Sequence, residues 1–312
     1  MIKTGTIKYY KSHEIDFIKW DTCIEKSDNG LIYAYSFYLD IMAGKWDALV
    51  LNDYEAVMPL TWNRKFCFYY LYQPYFIRAL GVFGKKMTAS TVHDFLNAVP
   101  KKFRYWNIDL NEKNPMHVEN TSDQRVITRA NYHLNLDKSY EEIYSGYKKS
   151  CQQRIKKAGR HEVGIFRDGC PADVVNFYRN NYESRHPEIS SEVYSKLTDA
   201  TTKCFEKGQA KIYLAKLPDG EITAAKMVLV DKNFVYSLIG GSSATGKQTA
   251  SYYLITDATI KDHAGSGRIF RFEGSLIPGI ASFSTQFGAD LCSYLHLSRN
   301  KLPFPANLFK RD

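Results

Sequence analysis

The chain has 312 residues, enough for one large or two moderate domains, and its 44% hydrophobic and 14% aromatic content, with 23 tyrosines, can supply a substantial core. A formal net charge of +9 and a pI near 9.0 favour anionic partners: phosphorylated metabolites, coenzyme A, RNA or an anionic membrane surface. No apolar run is long enough to span a bilayer, and six scattered cysteines with no Cys-x-x-Cys pair argue against a disulfide framework.

In chain order, residues 3–10 read as a strand and Glu14 to Ile24 as a helix, with Ser12 as its cap and Ile15, Ile18 and Trp20 partly on one face. Ser36 to Met42 is a second helix. Trp46–Leu51 and Glu55–Trp62 form a hairpin, and Phe66–Tyr72 is a strand closed by Pro74. Thr88–Ala98 is a helix stopped by Pro100; Phe103–Leu110, Arg125–Thr128 and Tyr132–Leu136 are strands. These elements make a coherent mixed α/β domain. Its boundary falls near Asp137, so the first domain is 1–137 and the second 138–299.

Ser139-Tyr-Glu-Glu142 is a capping box. The helix it opens carries an apolar stripe at Ile143, Tyr147, Cys151 and Ile155, with Lys148, Lys149, Arg154, Lys156, Lys157 and Arg160 on its other faces. That basic side is either a plain solvated surface or a seat for a phosphate-bearing partner, contacted through residues such as Lys148 and Arg154. Next come a strand at Glu162–Phe166, helices at Pro171–Arg185 and Ser191–Glu206, and a hairpin from Lys211–Lys216 to Glu221–Val230. Phe234–Ile239 is a strand, Gln248–His263 a helix and Leu291–Leu297 a last strand. Both halves thus share an order of elements: two early helices, a hairpin, a strand, a helix and further strands.

Three constellations bear on chemistry. Gly241-Ser-Ser-Ala-Thr-Gly246-Lys247-Gln248 nearly matches a phosphate-binding loop between strand and helix. Gln248 stands where Ser or Thr would hold magnesium, so nucleotide hydrolysis is set aside. The small residues still predict exposed N–H groups for an anion at Gly241 and Ser242, with Lys247 beside them. Lys226, amid the apolar strand Ala-Ala-Lys-Met-Val-Leu, either faces water or wants a carboxylate or phosphate partner. In Arg-Ile-Phe-Arg-Phe-Glu, Ile269, Arg271 and Glu273 share one strand face, and Phe270 and Phe272 the other. Arg271 and Glu273 read either as an ion pair along a sheet or as a working pair. In the second case Arg271 orients an anionic substrate and Glu273 positions or deprotonates an attacking amine. Tyr236, one strand earlier, is a candidate proton donor to a leaving group. The histidines show no zinc-ligand spacing, no metal is expected, and no covalent nucleophile stands out.

Phe272-Glu-Gly-Ser275, a short helix, then Phe287-Gly-Ala289 resembles the C-terminal signature of the FemAB-like branch of the GNAT acyltransferases. The resemblance implies an α/β (α+β mixed sheets) fold of two tandem GNAT-like domains, with residues 300–312 packing back on the first. Family members move an amino acid from aminoacyl-tRNA to an amine on a peptidoglycan precursor, which implies a cytoplasmic transferase of cell-wall assembly. No cofactor is then required beyond the acyl donor, aminoacyl-tRNA or acyl-coenzyme A. The partner is a phosphorylated or anionic substrate, tRNA among the candidates; the oligomeric state is open. A coenzyme A- or carrier-dependent N-acyltransferase, and a non-catalytic anion- or RNA-binding protein of the same fold, stay open as alternatives.

Overall fold

The computed structural model of the chain describes residues 5–117, 120–273, 278–304 and Asn307. It divides into two units, Met1–Arg129 with Ser293–Asp312, and Ala130–Cys292. The first unit runs β1 (Ile7–Tyr10), α1 (Phe17–Lys26), α2 (Ser36–Met42), β2 (Trp46–Leu51), β3 (Ala56–Lys65), β4 (Phe68–Tyr72), β5 (Phe83–Gly84), α3 (Ala89–Ala98) and β6 (Phe103–Leu110). Its sheet is ordered β1-β2-β3-β4-β6, with β4 and β6 parallel and the other pairs antiparallel. α1 starts later than the sequence predicted. Asp16 Oδ1 accepts from the Ile18 and Lys19 amides and so caps it, while Ser12–Glu14 is a separate 3-10 turn. The shifted start leaves Ile18 82% exposed and off the predicted face, whereas Trp20 is buried. Val92, Phe95 and Leu96 of α3 fill the core against Leu60, Trp106 and Leu110.

β7 (Gln124–Asn135) begins in the first unit and ends in the second; it is one strand where the sequence suggested two. The second unit continues with α4 (Tyr140–Ser145), α5 (Lys149–Arg160), β8 (Gly164–Phe166), α6 (Pro171–Tyr182), α7 (Ser191–Glu206), β9 (Ala210–Lys216), β10 (Ile222–Val230) and β11 (Phe234–Ser242). α8 (Ala244–Thr249), α9 (Ser251–His263), β12 (Ile269–Arg271) and α10 (Pro278–Gln286) follow. Its sheet is ordered β7-β12-β11-β10-β9-β8. β11 and β12 are parallel; the remaining pairs are antiparallel. β13 (Asp290–Asn300) closes the series, and its Leu295–Asn300 pairs antiparallel with β6 in the first unit.

Two expected helices are each broken in two. The capping box at Ser139 and Glu142 forms, but α4 stops at Ser145. Lys148 adopts extended geometry as the residue before α5, and its N–H donates to Gln286 O at 2.9 Å. The stripe Ile143, Tyr147, Cys151 and Ile155 is nonetheless buried throughout, because the break turns the chain without rotating its apolar side outward. Ala250, at φ +59°, separates α8 from α9. Gly274 and Ser275 of the Phe272-Glu-Gly-Ser275 motif lie outside the described residues. Among the described residues no helix is long and apolar enough to cross a membrane.

The second core packs α5, α9 and α10 on one face of its sheet, with Cys151, Ile155, Ile255, Ile260, Phe270, Phe272 and Phe287 buried together. Burying each of the three phenylalanines stabilises the unit by about 1.5–3 kcal/mol. α6 lies on the other face: a Cβ on Gly241 would meet the Tyr182 ring, while one on Gly240 would meet Tyr252 of α9.

Candidate functional site

Strand alternation fixes the site. Phe270 and Phe272 point into the α9–α10 core, so Arg271 and Glu273 point to the opposite face. β12 is held between β11, where Tyr236 pairs with Arg271, and β7, where His133 pairs with Arg271. Arg271 is fully buried, and its Nε donates to Glu273 Oε1 at 2.9 Å. The guanidinium carbon lies 5.1 Å and 5.4 Å from the centres of the Phe234 and Tyr236 rings. Glu273 is 7% exposed and sits at φ +49°. That left-handed backbone costs a non-glycine residue about 1–3 kcal/mol and persists only where the surroundings impose it. The carboxylate just past the end of β12 is therefore held in a fixed geometry by a buried arginine.

Asp231, which the sequence reading passed over, completes the group. Its Oδ1 accepts from the amides of Asn233 and Phe234 at 2.8 Å, and its Oδ2 accepts from the Tyr236 hydroxyl at 2.5 Å. Burial pushes its carboxyl up, against the hydrogen bonds and the Arg271 charge that favour ionisation. The turn Asp231-Lys-Asn233 between two strands was the available signal. Tyr236 is fully buried with its hydrogen committed to Asp231, so it anchors that carboxylate.

Lys226 falls elsewhere. It is fully buried on the α9 face, where Nζ donates to Thr256 Oγ1 at 3.2 Å. The Tyr252 and Phe270 rings lie 4.9 Å and 5.4 Å from Nζ. Burial pulls its ammonium down to about 7. The sheet separates it from Arg271, and a hydroxyl and two rings stand where the sequence suggested an acid or phosphate.

The glycine-rich segment is built for packing. Ser242 N donates to Tyr182 Oη and Tyr182 Oη donates to Ser242 O, both at 3.0 Å. The amides of Ser243, Gly246 and Lys247 donate to Thr223 O, Ser243 Oγ and Ser243 O. A Cβ on Gly241 would lie 2.4 Å from the Tyr182 ring, and one on Gly246 1.9 Å from Thr223 O. The close approaches explain these two glycines without a phosphate, and α8 is only six residues long. Lys247 is exposed, with Nζ 5.7 Å from the Tyr182 ring centre.

Lys148 and Arg154 are both exposed at α5, as are Lys149, Lys156, Lys157 and Arg160. The Arg154 guanidinium lies 5.1 Å from the Tyr253 ring centre, and Tyr253 Oη accepts from Gln286 Nε2 of α10 at 3.2 Å. Tyr253 contacts Phe283 and Phe287, which contact Phe272, the neighbour of Glu273. The basic helix and the strand end carrying Glu273 therefore share one aromatic cluster.

No family model matches the chain, and no curated protein matches it. Solved structures do. The crystal structure of FemX superposes with a TM-score of 0.68 at 11% identity, covering 97% of this chain and 99% of that one. A conserved protein of unknown function from Bacteroides thetaiotaomicron gives 0.60 at 10% identity, over 95% and 100% of the two chains. The C-terminal domain of a putative lysylphosphatidylglycerol synthetase from Agrobacterium fabrum gives 0.55 at 10% identity, over 94% of each. At such identities the likeness is one of fold. It agrees with the mixed α/β class and the tandem GNAT-like organisation that the sequence resemblance implied.

Proposed function

We propose that this FemX-like fold serves an acyltransferase that moves an acyl or aminoacyl group onto an amine by direct attack. The observation that carries the reading is Glu273: buried, held at φ +49° and hydrogen-bonded by Arg271. In the proposed step the amine nitrogen attacks the acyl carbonyl carbon and the bond from that carbon to the donor oxygen or sulfur breaks. The proton lost by the amine passes to Glu273 and leaves with the departing group. Arg271 fixes the carboxylate, and the Asp231–Tyr236 pair holds the strand beside it in register. Proximity and proton removal are then the chief contributions of the protein.

An aminoacyl-tRNA donor is favoured over acyl-coenzyme A by two features. The exposed cations of α5 suit a polyanion. The amides of Ser242, Ser243, Gly246 and Lys247, at the place where GNAT enzymes cradle a pyrophosphate, already have acceptors in the chain. A peptidoglycan precursor bearing a free amine is the acceptor that the FemAB-like resemblance of Phe272–Ser275 and Phe287–Ala289 implies. The test incubates the protein with radiolabelled aminoacyl-tRNA or acyl-coenzyme A and a nucleotide-linked muropeptide. Label transferred from tRNA supports the reading. Transfer from coenzyme A alone, with release of free thiol, replaces the donor. No transfer from either, beside salt-sensitive RNA binding, leaves a binding protein.

A further inference from the structure

Arg299, near the end of β13 in the first unit, sits opposite Trp106 of β6, and its guanidinium carbon lies 4.7 Å from the Trp106 ring centre. The Trp106 indole N–H donates to Phe103 O at 2.8 Å, so the ring is fixed and the arginine lies against a rigid plate. Arg299 Nε is buried and has no hydrogen-bond partner among the described residues. Asp123 is its ion-pair partner: Asp123 Oδ2 lies 3.6 Å from Arg299 Nε and 3.2 Å from Lys301 Nζ. The Thr121 hydroxyl and the two cations hold the Asp123 carboxyl below its usual range, so it is ionised. One carboxylate thus serves two cations.

Arg299 and Trp106 line a cavity of about 410 Å³, within the range of about 300–1,000 Å³ usual for small-molecule sites. Ser90, His93 and Asn97 present polar groups to it from one face of α3, and His93 and Asn97 are hydrogen-bonded at 3.1 Å. Leu96 and Met116 supply apolar wall.

We propose that this cavity binds a small organic anion, a carboxylate or phosphate ester with a flat or apolar body. The anionic group pairs with Arg299 and accepts from Ser90 or Asn97, while the body lies along Leu96 and Met116. The site belongs to the first unit and stands independently of the acyl-transfer reading, which rests on the second.

The test is calorimetric titration of the full chain with phenyl phosphate, benzoate and benzylamine. At least one anion binds and benzylamine does not; the ratio between the two anions separates a phosphate ligand from a carboxylate one. Arg299→Gln weakens that binding about tenfold or more. Ser90→Trp, at an exposed position in the first turn of α3, fills the cavity and abolishes binding with the melting temperature kept. Failure of both anions to bind, equal binding of benzylamine, or anion binding untouched by Ser90→Trp overturns the proposal.

Discussion

Replacing Lys226 with Met changes how stability depends on pH. Burial lowers the Lys226 ammonium from 10.5 in the unfolded chain to about 7 in the native one. Between those values the unfolded chain holds this proton and the native protein does not, so wild-type stability rises with pH across the window. Below pH 7 both states carry the proton and the contribution is flat. At 1.36 kcal/mol per tenfold change, the gain from pH 7 to pH 9.5 is about 3 kcal/mol. Met fills similar volume beside Tyr252 and Phe270 and has no proton to exchange. Urea unfolding followed by circular dichroism at pH 7, 8 and 9.5 measures both proteins, and tyrosines and cysteines common to both cancel in the difference. The wild type should gain on Lys226→Met by about 3 kcal/mol over the window. A stability difference that stays constant with pH would show that Lys226 is not held uncharged in the fold.

Other expectations concern the neighbouring features. Arg271→Met leaves the Glu273 carboxylate buried without its hydrogen-bonded arginine and should cost about 3–5 kcal/mol, or roughly 6–20 °C in melting temperature; Arg271→Met with Glu273→Gln should recover part of it, and a single variant as stable as wild type would refute a coupled pair. Gly241→Ala drives a methyl into Tyr182 and should cost about 1–3 kcal/mol, relieved by Tyr182→Leu; unchanged unfolding would disprove the close approach. Replacing Lys149, Lys156 and Arg160 with Gln should flatten the salt dependence of RNA binding by about 2 in log–log slope, read by filter binding; an unaltered slope would move the RNA off α5.

Local signals located the elements where the chain obeys them. α2 and α7, β2 and β6 run between the predicted residues, because each has a clean apolar period and a clear stop. What tertiary contacts decide was not legible. The period of Ile143, Tyr147, Cys151 and Ile155 does not reveal that Lys148 leaves the helix to reach Gln286. Ala250 carries no glycine to advertise its left-handed turn. At the site, alternation put Arg271 and Glu273 on one face, and the hydrogen bond between them follows from it. The strain at Glu273 and the link from Asp231 to Tyr236 depend on backbone torsion and a turn, which side-chain pattern does not record. Gly241 and Gly246 matched a phosphate loop because closeness to a ligand and closeness to Tyr182 or Thr223 demand the same missing Cβ.

The central claim is that Glu273 takes the proton of the attacking amine. Single-turnover transfer from labelled aminoacyl-tRNA to an amine acceptor, measured for wild type and Glu273→Gln, tests it most directly. A fall of at least about a hundredfold is expected in the variant, with both proteins assayed well below their melting temperatures so that loss of the buried Arg271–Glu273 pair does not unfold it. Equal rates in the two proteins would contradict it.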